Sequence, residues 1–292
     1  MATSSVSRDE TQNPFLVEQL YCSPDVTAGI HGQLTFISVL NSFLSITAFL
    51  GNALILIALR KESSLHPPSK HLLRTLTTTD FCVGLFAEPL FVTLIMVVMT
   101  LIMVVMNEHW NICRYAAVAL CVVSYILCGV SLLTLTAISV NRLLALLLGL
   151  RYKQVVTLKR VCLMTITFCV VSTTSSIFKN FFNFVIGSLC DIIAVSSCLV
   201  TSVFSYTTIF LTLRHHHNQV LDHIQQPNQT NQLNKARYRK GVSTALWLQF
   251  ILLVCYLPYL ILVTLAIHAE PSSSVSLAWS YLLTLVFLNS SH

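Results

Sequence analysis

Charged side chains are scarce in this chain. Asp, Glu, Lys and Arg make up 10% of its 292 residues, where a soluble domain carries about 25%. That deficit excludes a water-facing globular surface. Glycine and proline are scarce as well, eight of each, which excludes collagen-like repeats and Pro/Gly-rich disorder. Cysteine is not scarce, at ten residues, but Cys82, Cys121, Cys128, Cys162, Cys169, Cys198 and Cys255 fall inside apolar runs. They read as small buried or lipid-facing groups, so a secreted disulfide scaffold is excluded. Only Cys22, Cys113 and Cys190 stand in or near polar connections. What the chain has in excess is apolar surface: 55% of it is hydrophobic and its mean hydropathy is +0.75. That suffices for seven or eight bilayer crossings of about 20 residues each. The expected fold class is an all-α membrane protein, a seven-transmembrane helix bundle.

Uncharged runs place the spans at about 34–59, from 71 to between 95 and 106, 114–148, 161–182, 190–213, 240–267 and 275–292. Residues 1–32, which carry Arg8, Asp9, Glu10, Glu18 and Asp25 and no apolar core, read as an N-terminal tail rather than a cleavable signal. The bundle then occupies 33–292, with a polar cytoplasmic connection at about 214–240 that reads as a flexible linker. Its His215, His216, His217 and His223 read as a solvated cluster rather than a metal site. Fourteen Lys and Arg fall in one set of connections, and only Arg8, Arg114 and Lys179 fall in the other. The basic side is therefore expected in the cytoplasm and the N-terminus outside the cell, at the plasma membrane. The net charge of +6 reflects this topology and attraction to anionic membrane lipid. No aromatic-interleaved basic groove is present, so nucleic acid is not an expected partner.

Residues 93–99 and 100–106 both read TLIMVVM. Seven residues turn a helix through nearly two full turns, so the repeat keeps its face within about 20° while adding about 10.5 Å. A helix from His71 through the repeat would be about 54 Å long, against a hydrocarbon core of about 30 Å. It must tilt, bend at Pro89 or fold over the mouth of the bundle.

An ionisable group in hydrocarbon costs several kcal/mol and is a functional candidate by default. Two carboxylates qualify on this reading, Asp80 and Glu88 of the second span. Eight residues apart, they share nearly one helix face about 12 Å apart along the axis. Pro89 follows Glu88 and is placed to bend the outer half of that helix.

Gly51-Asn52 in the first span, Leu76 four residues before Asp80, and Asn141-Arg142 at the end of the third form an ordered set. Cys255-Tyr256-Leu257-Pro258 in the sixth span and Phe287-Leu288-Asn289-Ser290-Ser291 in the seventh complete it. The set resembles the rhodopsin-like (class A) G-protein-coupled receptors, over about residues 33–292, with a melanocortin- or adenosine-like branch as the nearest placement. The resemblance implies a receptor that passes an extracellular small-molecule or peptide signal to a heterotrimeric G protein. It implies an allosteric sodium pocket at Asp80, Ser131, Asn289 and Ser290, with no other metal or cofactor. It makes Asn141, Arg142, Tyr206, Tyr256 and Pro258 the activation set. Asn141 stands where the family has an Asp, so its hold on Arg142 is expected to be a weaker hydrogen bond and basal signalling to be raised. Ligand-pocket candidates are Glu88, Ser124, Tyr125 and Tyr259, with Tyr256 and Phe184 as further walls. Ser124 replaces the family's amine-binding Asp, which leaves Glu88 as the alternative counter-ion or as a partner of His109. Cys198 and Tyr256 depart from the family's proline and tryptophan.

The resemblance also implies an outer disulfide from Cys113 to Cys190 in a second outer loop, with Cys22 as an alternative partner for either. The family continues past Asn289-Ser290-Ser291 with an Asn-Pro-x-x-Tyr turn, and this sequence stops at His292. It therefore resembles a C-terminally truncated member, and the second function weighed is a non-signalling form acting as decoy or dimer partner. A transporter or membrane enzyme is disfavoured: no inverted repeat and no intramembrane Ser/His/Asp constellation appears in the sequence.

Overall fold

A computed structural model describes residues 21–22, 29–62, 66–104, 110–223, 247, 249–265 and 272–291. The described residues form a bundle of long apolar helices. The first span is His31–Lys61. The second runs from Pro67–Cys82 through a π turn, Val83–Ala87, into Glu88–Val104. The third is Trp110–Leu148, the fourth Leu158–Phe181 and the fifth Phe184–His223. The sixth is described over Gln249–Leu265 and the seventh is Ser273–Ser290. Six of these are long and apolar enough to cross a membrane, and Gln249–Leu265 is a shorter apolar helix. The bundle is an all-helical membrane architecture of the seven-helix kind, as the apolar runs predict.

Its burial is inverted relative to a soluble protein. Phe43, Leu54, Leu163, Ile193, Val200 and Phe204 face outward, each more than 60% exposed, while Ser38, Asn41, Ser131, Thr134, Ser176, Ser202, Ser276 and Ser280 are fully buried. Small and polar side chains belong at helix–helix contacts because lipid rewards no apolar burial between helices. The first and seventh spans are tied by Asn41 Nδ2 to Thr284 Oγ1 (2.8 Å) and by Asn52 Nδ2 to the Ser290 carbonyl (2.9 Å).

Local chemistry sets the ends and joints. Pro67 and Pro68 open the second span at positions where the missing N–H costs nothing. Ser272 caps the seventh, its hydroxyl accepting from the Val275 N–H. The π turn before Pro89 has a local cause. Glu88 N–H bonds back to the Val83 carbonyl, and the next nitrogen belongs to Pro89 and carries no hydrogen. The Gly84 carbonyl is thereby left without a helical donor, and Ser45 of the first span supplies one at 2.7 Å. A Cβ on Gly84 would meet Phe49 N at 2.8 Å and the Ala48 Cβ at 2.9 Å, so the two spans touch here through glycine. Where the sequence places a bend at Pro89, the helix has a π turn that ends at Ala87. The helix continues past the first copy of the heptad repeat and into the second.

Two boundaries depart from expectation. The fifth span begins at Phe184 rather than 190 and joins the fourth through only Phe182 and Asn183. Both of their N–H groups return to the Phe178 carbonyl, and Asn183 Oδ1 caps the Ile186 N–H at 2.9 Å, which makes so short a joint workable. The fifth helix also continues through Arg214 to His223, so the start of the polar connection at 214–240 is helix. No glycine or proline occurs between Arg214 and Pro227. The rest of that connection lies outside the described residues.

Candidate ligand cavity and polar centre

The third, fourth, fifth, sixth and seventh spans enclose a cavity of about 180 Å³. Ser124, Tyr125, Tyr256, Tyr259 and Phe184, all expected as pocket residues, line it. Glu88 does not. It is fully buried on the second span, and both carboxylate oxygens lack a hydrogen-bond partner among the described residues. His109, its suggested partner, lies outside the described residues.

The polar heart of the cavity is a group that sequence reading missed. Lys179 of the fourth span and Asp191 of the fifth are both buried and form an ion pair at 2.5 Å. The Tyr125 hydroxyl donates to the other oxygen of the same carboxylate. The Lys179 ammonium also sits over the rings of Tyr125 and Phe184, at 5.4 and 5.6 Å from their centroids. Such contacts supplement the charge pairing. Gly187 permits this arrangement: a Cβ there would lie 2.7 Å from the Lys179 Cα, so the fourth and fifth helices meet backbone to backbone. Asp191 is therefore a third intramembrane carboxylate beside Asp80 and Glu88. Placing the fifth span at residue 190 had put it at the edge of a loop.

The same boundary overturns the disulfide between Cys113 and Cys190. The joint between the fourth and fifth spans is too short to form an outer loop, and Cys190 is a free, exposed residue within the fifth helix. Cys113 bonds Cys22 instead, with their Cα atoms 6.0 Å apart. The bridge pins a piece of the supposed tail into the bundle. Tyr21 is almost completely buried, meets Phe91 edge-on at 6.2 Å and hydrogen-bonds Ser280 Oγ of the seventh span at 2.8 Å. Burial pushes the Tyr21 phenol well above its usual value, so it remains a neutral hydrogen-bonding group.

Below the cavity lies the Asp80 centre. Ser131 Oγ donates to Asp80 Oδ1 at 2.8 Å, and the Ser290 side chain adjoins the same carboxylate. Asp80 has no ion-pair partner among the described residues. Asn289 is half-buried, with its amide nitrogen buried and without a partner among them. Asp80, Ser131 and Ser290 thus converge, and no hydrogen bond joins Asn289 to them among the described residues. Tyr256 belongs both to the cavity wall and to the packed interior of the bundle. It lines the cavity and packs with Leu132, Leu199, Cys255 and Val286 of the third, fifth, sixth and seventh spans.

At the opposite end of the third span, Asn141 is not bonded to Arg142. Its Nδ2 donates to Ser69 Oγ at 3.1 Å, and its Oδ1 accepts from the Tyr152 hydroxyl at 2.8 Å. Arg142 is exposed and has no carboxylate partner among the described residues. The weak Asn141–Arg142 hydrogen bond expected from the sequence is replaced by a neutral tie to the second span and to the short helix Tyr152–Val155. Tyr206 is buried in the fifth span and Pro258 is half-buried in the sixth.

A cavity set among five of seven apolar helices, near a buried carboxylate and with an exposed arginine at the far end of the third span, defines a seven-helix membrane protein with an internal cavity. The sequence pattern of the 7 transmembrane receptor (rhodopsin family) matches residues 51–292, and the chain belongs to that family. Among curated relatives it is 34% identical over 110 residues to the adenosine receptor A2b of Rattus norvegicus. That stretch is 38% of this chain and 30% of the relative, so the likeness spans less than a third of the relative's length.

Proposed function

We propose that this protein is a cell-surface receptor with its N-terminus outside, which converts ligand binding in the Tyr125–Tyr259 cavity into activation of a heterotrimeric G protein at the Arg142 end. The carrying observation is that the cavity wall doubles as a helix-packing surface. Tyr256 belongs to the wall of the cavity and to the packed cluster of the third, fifth, sixth and seventh spans. A ligand that favours one rotamer of Tyr256 therefore favours one packing of those helices, a shift between two existing states. Pro258 lies two residues away and deprives the Val254 carbonyl of its helical donor, which supplies a hinge. The exposed Arg142, with Asn141 tied elsewhere, favours raised basal signalling.

Asp80, Ser131 and Ser290 fit a sodium ion, because a carboxylate and hydroxyls offer hard oxygen ligands and the buried charge lacks a counter-ion among the described residues. The ion would supply that counter-charge and favour the packing in which the three residues converge.

The test is nucleotide exchange on purified heterotrimeric G proteins with the full chain in lipid nanodiscs. Exchange above the rate of G protein alone is expected without any ligand, and Arg142→Ala should abolish it. Absence of stimulated exchange with every Gα class would refute the proposal.

A further inference from the structure

The Lys179–Asp191 pair is neutral as a unit and buried at the cavity wall. A ligand that took Lys179 away from Asp191 would leave a carboxylate buried with only the Tyr125 hydroxyl, and one that took Asp191 would strand the ammonium. Breaking a buried pair is costly, whereas adding to it is not. An anionic group approaching Lys179 also approaches Asp191, and a cationic one meets the reverse repulsion. The ammonium carries three N–H donors and makes one hydrogen bond among the described residues, to Asp191. Ser124 lines the same cavity, and its buried hydroxyl has no hydrogen-bond partner among the described residues. The remaining wall is largely apolar and aromatic, with Leu120, Leu132, Phe184 and Trp279 among its residues.

We propose that the cavity selects an uncharged ligand: an apolar, ring-sized molecule bearing a carbonyl-type acceptor for Lys179 and a polar partner for Ser124, with ions of either sign disfavoured by the intact pair. This rests on the ligand-cavity reading above and assigns the chemical class that the cavity takes.

Three probes share one indole body and differ in charge: indole-3-acetamide, indole-3-acetate and tryptamine. Thermal unfolding of the full chain in nanodiscs is followed against the concentration of each. The amide is expected to protect at a concentration at least about tenfold lower than either ion. Its half-maximal concentration should rise severalfold in Ser124→Ala and about tenfold in the double variant Lys179→Met/Asp191→Leu, which removes the pair without stranding a charge. Equal or better protection by the acetate or tryptamine would overturn the charge selection while leaving the cavity as a ligand site. Protection by the amide that is unchanged in both variants would overturn the assigned contacts. No protection by any of the three would overturn both this inference and the cavity reading.

Discussion

At the centre of the bundle, Asp80 is met by two serine hydroxyls. At the corner of the third, fourth and fifth spans, Asp191 is met by an ammonium and a phenol. Both are buried carboxylates in an apolar bundle, and they differ in what remains open. Asp191 has its counter-charge inside the protein and forms a closed, neutral unit whose cost on disruption is high. Asp80 has hydrogen-bond donors but no positive charge among the described residues, so it is the group that an ion can still complete. On the readings proposed above, one site holds helices and screens ligands by charge, and the other responds to a cation.

The largest expected effect comes from breaking the closed site. Lys179→Met should cost about 3–5 kcal/mol, because Asp191 is left buried and unpaired. Adding Asp191→Leu should recover most of that loss. Melting curves of the purified receptor measure both, and an unchanged melting temperature in the single variant would remove the distinction between the sites.

The Cys22–Cys113 bridge should follow in size. Cys22→Ser is expected to cost about 2–4 kcal/mol, while Cys190→Ser should be neutral because that thiol is free and exposed. Melting with and without reductant compares them, and sensitivity at Cys190 would restore the outer-loop bridge. Gly187→Ala comes next, at about 1–3 kcal/mol, because its methyl group would force apart the helices that carry Lys179 and Asp191. The companion readout is the loss of ligand protection before loss of fold. The smallest of the stability effects is at the joint that has no charge. Ser45→Ala should cost about 1–2 kcal/mol by orphaning the Gly84 carbonyl beside the π turn.

The two sites were unequally legible in the sequence. Asp80 stood out because it is one of two carboxylates in a membrane-length run, and the family resemblance supplied Ser131 as a partner. Lys179 and Asp191 hid each other: each charge lowers local hydropathy, so together they mimic the ends of two spans and an intervening loop. Only their contact shows that the two charges cancel inside the bundle. The clue was there in Asn183, a helix-capping residue between two apolar runs, which allows a two-residue joint where the resemblance implied a loop with Cys190 in it. The burial of Tyr21 was equally hidden, since the mostly apolar stretch that ends with it, Phe15 to Tyr21, is far too short to read as a span. Asn141 was noticed as a departure, but its partners Ser69 and Tyr152 come from two other segments and no spacing in one helix reveals them. The number and order of the spans, by contrast, follow directly from where charges are missing.

The comparison between the open and the closed carboxylate is tested most directly by basal nucleotide exchange in sodium chloride against N-methylglucamine chloride at equal ionic strength. The wild-type chain should stimulate exchange less in sodium, since the ion favours the packing in which Asp80, Ser131 and Ser290 converge, and Asp80→Asn should erase the difference. The same sodium effect in Asp80→Asn as in the wild type would contradict the account.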